Sequence, residues 1–180
     1  MSEKNKKKET HQKNQLLDDK ISYLLRLFEN EDKRLTIIEN KITHLIGQSG
    51  LIISIIAFII PLFYDKLNNI NICTKIGLGL IFILTIILLG LSIYKASEIF
   101  KINKFQYADC SPETVNKEFR KIKDFKIEYI SDLDYCINKN KGLNNRKGSI
   151  LIEANHLFIY GIYTLTLLAI LLTFTYLFTS

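Results

Sequence analysis

Residues 45–64 read LIGQSGLIISIIAFIIPLFY, twenty residues without one charged side chain. A helix rises about 1.5 Å per residue, so such a run reaches across the roughly 30 Å hydrocarbon layer of a bilayer. Core helices of soluble proteins keep a polar face, and this stretch has none. Upstream of it, Leu17, Ile21, Leu24, Phe28, Leu35, Ile38, Ile42 and Leu45 recur in steps of four and three, interrupted only where Glu31 takes the next position. Sustained for about four heptads, this pattern predicts a coiled-coil or bundle seam feeding the span. No proline or glycine lies between Leu16 and Ile46, so one continuous helix is expected. The alternative is a break at 30–32, prompted by Glu31.

Two more apolar blocks, 76–94 and 157–178, have the length of a membrane crossing. The expected fold is therefore an all-α integral membrane protein, with three transmembrane helices and a cytoplasmic coiled-coil or helical layer. Its segments are a disordered or frayed basic tail at 1–15, a cytoplasmic heptad helix at 16–44 and the first span at 45–64. An external loop at 65–75, the second span at 76–94, a cytoplasmic helical segment at 95–156 and the third span at 157–178 follow. The tail is rich in Lys, Glu and Asn and poor in apolar residues.

The chain carries 24 Lys and Arg against 18 Asp and Glu. Ten of the basic residues precede the first span, two lie in the short loop and twelve lie between the second and third spans. By the positive-inside rule the N-terminus and the middle segment are cytoplasmic, and the short loop is outside. The basic residues themselves read as topology determinants and contacts for anionic headgroups. A nucleic-acid partner is not expected, because no basic face interleaved with aromatics and no known module is present. Impermeant thiol labelling in intact cells, in a Cys73→Ser background because Cys73 lies in the same short loop, checks the topology: Asn69→Cys should be modified and Lys121→Cys should not. A labelled Lys121→Cys would remove the three-span scheme.

Within the first span a stripe of small residues, Gly47, Gly50, Ser54, Ala57 and Pro61, steps by three and four. Small residues at this spacing let a second helix backbone come close, which drives packing in lipid. With Gln48 beside them, Gly47, Gly50, Ser54 and Ala57 form the expected pore or helix-packing face. The partner helix is either the chain's own second or third span or another protomer. Leu17, Ile21, Leu24, Phe28, Leu35, Ile38 and Ile42 form the expected oligomerisation seam. Pro61 should bend or end the helix.

Ser111-Pro112 reads as a helix start, with Ser as N-cap and Pro at the first helical position. Val115, Phe119, Ile122, Tyr129, Leu133 and Ile137 mark the apolar face that follows. Residues 138–148, NKNKGLNNRKG, read as a polar turn or loosened helix, after which Ser149 opens a helix into the third span.

Nothing here has the pattern of an enzyme. There is no nucleophile elbow, phosphate loop or zinc-ligand spacing, so neither catalysis nor a cofactor is expected. Cys73, Cys110 and Cys136 show no paired spacing. His44 and His156 fall at predicted span boundaries, where histidine commonly anchors at the interface. With Glu153 they could hold a metal or sense pH, but two isolated histidines are weak support for either. The three spans contain no Asp, Glu, Lys, Arg or His, which argues against proton-coupled transport.

The stretch IIENKITHLIGQSGLIISII at 37–56, the hairpin of spans and the juxtamembrane stretch leading to Ser111-Pro112 resemble a group of small bacterial membrane effectors. These are the SLATT and Pycsar-type transmembrane families of anti-phage defence. The similarity covers mainly 32–112, and the third span departs from a plain two-span scheme. The resemblance implies a homo-oligomer in the bacterial inner membrane that perturbs the bilayer when a cytosolic sensor protein or nucleotide signal fires. Together these features lead us to expect a non-enzymatic oligomeric membrane effector that disrupts the membrane or opens a pore. The alternative is a membrane anchor or scaffold that docks a soluble partner on its cytoplasmic helices. Conductance of the purified protein in liposomes separates the two.

Overall fold

The computed structural model describes residues 3–67, 71–102, 105–107 and 122–179. All regular structure among them is helical: α1 (Glu3–Leu67), α2 (Ile72–Glu98), a 3-10 turn (Ile99–Lys101) and α3 (Ile122–Thr179). Each long helix contains a stretch apolar enough to cross a membrane, and only 22%, 22% and 11% of those stretches is buried inside the chain. Contiguous apolar surface of that extent is rare on a water-soluble monomer. A helix that satisfies its own backbone is suited to lipid.

Three expectations from the sequence are corrected here. The segment 1–15 is helical from Glu3 onward. Lys, Glu and Gln are good helix formers, and extending an existing helix avoids the nucleation penalty. Residues 138–148 do not form a turn, and Ser149 opens no new helix: all lie inside α3. Likewise α1 does not end at position 61 and continues to Leu67. The Ser111-Pro112 start, with Val115, Phe119 and Cys110, lies outside the described residues. On α2, Asn71 is an N-cap whose side chain accepts from the Cys73 backbone N–H at 3.3 Å.

The chain divides into two compact units, Met1–Ile37 with Asn103–Arg146 and Ile38–Ile102 with Lys147–Ser180. In the first, Leu24 is buried with Ile130, Leu133 and Ile137 of α3, and Leu17, Ile21, Leu27 and Phe28 pack around them. Phe28 also meets Phe105 at 5.5 Å and Tyr107 at 6.2 Å between ring centroids. Asn140, fully buried, grips that segment by both ends of its amide. Its Oδ1 accepts from the Gln106 N–H (2.8 Å) and its Nδ2 donates to the Gln106 carbonyl (2.7 Å).

Glu31, the one carboxylate in the seam, has a dedicated partner. Asn144 is fully buried and donates through Nδ2 to the Glu31 carboxylate and to the Glu31 carbonyl, both at 2.8 Å. Arg34 adds an ion pair at 3.6 Å and donates to Asn145 Oδ1 at 2.8 Å. A half-buried carboxylate satisfied in this way does not oblige the helix to break. α1 accordingly continues through 30–32.

The second unit holds Ile38, Ile42 and Leu45 of α1 against Ala96 and Ile99 on the α2 side and Ala154 of α3. These contacts bring the same level of all three chain segments together. From there α2 and α3 run antiparallel through a ladder of small and hydroxyl side chains. Ser92 Oγ donates to the Ala154 carbonyl at 2.8 Å. Thr85 Oγ1 donates to Thr164 Oγ1 at 3.1 Å, and Thr164 donates to the Gly161 carbonyl at 2.9 Å. Between those rungs Gly161 abuts Leu89 so closely that a Cβ there would lie 2.7 Å from Leu89 Cδ2. Hydroxyl bonds of this kind contribute about 0.6 kcal/mol each on average between membrane helices. The close approach at glycine lets the remaining surfaces touch.

Candidate functional site

The level of Leu45 and Ala154 is where the apolar spans meet the charged part of the chain. Lys95 donates to Glu98 at 3.2 Å and pairs with Glu153 at 3.6 Å. The Glu98 hydrogen bond, then its charge, holds the Lys95 ammonium above the usual lysine range. Lys147, nearly buried, donates to Glu39 at 2.8 Å. On another side of the same level, α1 and α3 enclose a cleft of about 480 Å³. Its polar lining is Lys41, His44 and Gln48 from α1, with Asn155 and His156 from α3. Spacings of three and four put Lys41, His44 and Gln48 on one face of α1, and Asn155 and His156 are neighbours one turn beyond Leu151 and Ile152 on α3.

The five groups differ from their neighbours in one respect. None of them makes a hydrogen bond or ion pair among the described residues, whereas Lys95 and Lys147 at the same level are both paired. The rest of the lining is Leu45, Leu151 and Ile152, so no carboxylate faces the cleft. His44 and His156, which the sequence offers as a pair with Glu153, share this cleft. Glu153 is not part of it and is engaged with Lys95. Among the described residues no group of three or more His, Cys, Asp or Glu could hold a metal ion.

The predicted pore or packing face divides. Gln48 turns toward the cleft, one helical step away from the stripe. Gly47, Ser54 and Ala57 are exposed and Gly50 is half-buried. A Cβ added at Gly47 or Gly50 would meet nothing within 4 Å. Ser54 returns its hydroxyl to the Gly50 carbonyl at 2.9 Å. The chain's own spans therefore do not cover this stripe. Ser49, one position from it, is fully buried, and its Oγ has no hydrogen-bond partner.

The predicted oligomerisation seam is engaged within the chain. Leu17, Ile21, Leu24 and Phe28 face α3 in the first unit. Ile38 and Ile42 are buried in the second, and Leu35 is half-buried. A heptad pattern records that a helix has a partner and leaves the partner's identity open. Here the partner is α3, running parallel to α1. Cys73 is exposed and Cys136 buried, both as free thiols.

Sequence reasoning passed over Asn140, Asn144, Lys41 and Asn155. The asparagines carried a signal that was read the other way, as turn formers. Lys41 and Asn155 stood out in no pattern, because only the parallel pairing of α1 with α3 brings them together. Comparison with protein families, curated proteins and solved structures finds no match for the chain.

Proposed function

We propose that this chain is a non-enzymatic membrane effector of the bacterial inner membrane, assembling through its first span and opening or disrupting the bilayer on activation. The observation that carries this reading is the uncovered stripe of Gly47, Gly50, Ser54 and Ala57. Small residues on a lipid-depth helix with no neighbour in their own chain are suited to the close approach of a second copy. The resemblance of 32–112 to defence effectors agrees with it, and so does the absence of ionisable groups in the spans. The distribution of Lys and Arg puts the N-terminus and the 95–156 segment in the cytoplasm, where a sensor protein or nucleotide signal would act.

Closure of the heptad seam within one chain favours a second reading, that of a membrane anchor. In that case the first unit is a finished platform, and its outward side chains Tyr23, Ile127 and Tyr135 receive a soluble partner.

Ion flux through liposomes carrying the purified protein distinguishes the two. The effector reading expects conductance, and its loss in Gly50→Leu and Ser54→Leu. Neither site is crowded within the chain, so the added bulk acts only on a second copy, where overpacking costs about 1–3 kcal/mol. Ile53→Leu and Ile59→Leu, which conserve volume, should conduct like the parent. Parent-like flux in both stripe variants would move the conducting face elsewhere. A parent protein that never conducts, alone or with its genomic neighbours, would leave the anchor.

A further inference from the structure

The cleft between Lys41 and His156 has no role in either reading, and its chemistry is specific. It gathers one ammonium, two imidazoles and two carboxamides, and among the described residues it has no carboxylate in its lining and leaves all five groups without a partner. Imidazole donates at least one N–H in any protonation state, and each carboxamide offers an NH₂. Several converging donors with a net positive charge match an anion that presents several oxygens at once, as a phosphate does.

The surroundings narrow the source of that phosphate. From Gln48 the same face of α1 continues through Leu51 and Ile55, and from Asn155 and His156 that of α3 continues through Ile159 and Tyr163. All four of these side chains are exposed. A polar cleft thus opens onto an apolar track running along the spans, the profile of an amphiphile with an anionic head. The track begins where the charge-free runs begin, at Leu45 and Leu157, which is headgroup depth for a helix that crosses the bilayer. Basic pockets between membrane helices on the cytoplasmic side are a recurrent form of lipid headgroup recognition.

We propose that the cleft formed by Lys41, His44, Gln48, Asn155 and His156 is a binding site for the phosphate of an anionic phospholipid. The headgroup takes the five donors, and the acyl chains lie along Leu51, Ile55, Ile159 and Tyr163. The site goes beyond the effector reading and is independent of it, since an anchor could hold the same lipid.

Native mass spectrometry of the full chain, released from nanodiscs of phosphatidylcholine with or without phosphatidylglycerol, tests the proposal. The parent should retain phosphatidylglycerol in preference to phosphatidylcholine. The double variant Lys41→Gln with His156→Phe should retain it on the order of 10- to 100-fold less, as expected for losing the ammonium charge and one imidazole donor. All five side chains are exposed and unpaired, so the variant should match the parent's thermal midpoint in phosphatidylcholine alone. A second pair, Gln48→Leu with Asn155→Leu, removes donors without touching charge and should also weaken retention. Lys139→Gln, whose lysine lies over Tyr135, serves as the control and should bind like the parent. Equal retention by parent and both cleft pairs would overturn the site, reducing it to general attraction between a basic protein and an acidic membrane. Inorganic phosphate that competes the lipid off completely at low millimolar concentration would overturn the lipid assignment in favour of a soluble phosphate ligand.

Discussion

Replacing Gly161 with leucine should separate α2 from α3 and lower the thermal midpoint of the detergent-solubilised protein more than any exposed substitution. Gly161 is buried. Even a methyl group there would sit 2.7 Å from Leu89 Cδ2, 3.0 Å from Cγ and 3.6 Å from the Leu89 backbone nitrogen. The first of these contacts could be relieved by rotating the Leu89 side chain. The 3.6 Å separation from the backbone nitrogen is an ordinary contact, so the clash is with the side chain, and Leu89 is fully buried, with little room to rotate. Overpacking by single methylenes costs about 1–3 kcal/mol. A leucine, several atoms larger, should reach the upper end of that range or exceed it. The hydroxyl rungs at Thr85–Thr164 and Ser92–Ala154 would open with the helices, adding the loss of two hydrogen bonds. Alanine at 161 should be milder, and Gly161→Ala with Leu89→Ala should be less destabilised than the sum of the two singles. A coupling of about 1 kcal/mol or more is typical of side chains in direct contact. An unchanged midpoint for Gly161→Leu would mean that the two helices do not meet at this level.

The second large effect is expected at Asn144→Asp. The asparagine amide is 2.8 Å from the Glu31 carboxylate and is fully buried. The substitution exchanges a donor for a second negative charge at the same place. A lost hydrogen bond to a charged group costs about 1.5–3 kcal/mol, and an uncompensated buried charge costs more. A total of about 3 kcal/mol or more is expected, less whatever Arg34 recovers from its position 3.6 Å from Glu31. Unfolding in detergent followed by circular dichroism measures the loss. The informative control is the exchanged pair Glu31→Gln with Asn144→Asp, which restores a donor opposite an acceptor with the same side-chain lengths. It should recover most of the stability. If the single variant is destabilised and the exchanged pair recovers nothing, Asn144 supports the fold through some other contact.

The long periodic features were legible in the amino-acid order, and the pairing between them was not. Runs without charge at 45–64, 76–94 and 157–178 declare their length and apolar character by composition alone, and the helices found there are long and apolar enough to cross a membrane. Of the seam from Leu17 to Ile42, Leu24, Ile38 and Ile42 are buried within the chain and the other four are half-buried. Periodicity is a property of one helix, however, so it could not tell another protomer from α3 of the same chain. Residues 138–148 were misread because Asn and Gly favour turns when nothing else holds them. Asn140 and Asn144 find partners only in tertiary structure, at Gln106 and Glu31. The cleft was half legible. His44 and His156 stand out in the sequence as a pair with Glu153, but no spacing adds Lys41, Gln48 and Asn155 to them or sends Glu153 to Lys95.

That misread stretch of α3 has a kinetic consequence. With Gly142, Gly148 and four asparagines between 138 and 148, its intrinsic helix preference is about 4 kcal/mol poorer than that of an alanine helix. Neither glycine meets a neighbour that would explain its presence by close packing. Helicity there rests on side-chain bonds that include Asn140 to Gln106, Asn144 to Glu31, Arg34 to Asn145 and Lys147 to Glu39. Backbone held in this manner opens as a local unit, at a free energy set by those few bonds and below that of global unfolding. Its amides should exchange with deuterium ahead of the flanking turns of the same helix. The middle of α3 is therefore the place where an otherwise uninterrupted rod can lose its stiffness while both of its ends stay folded.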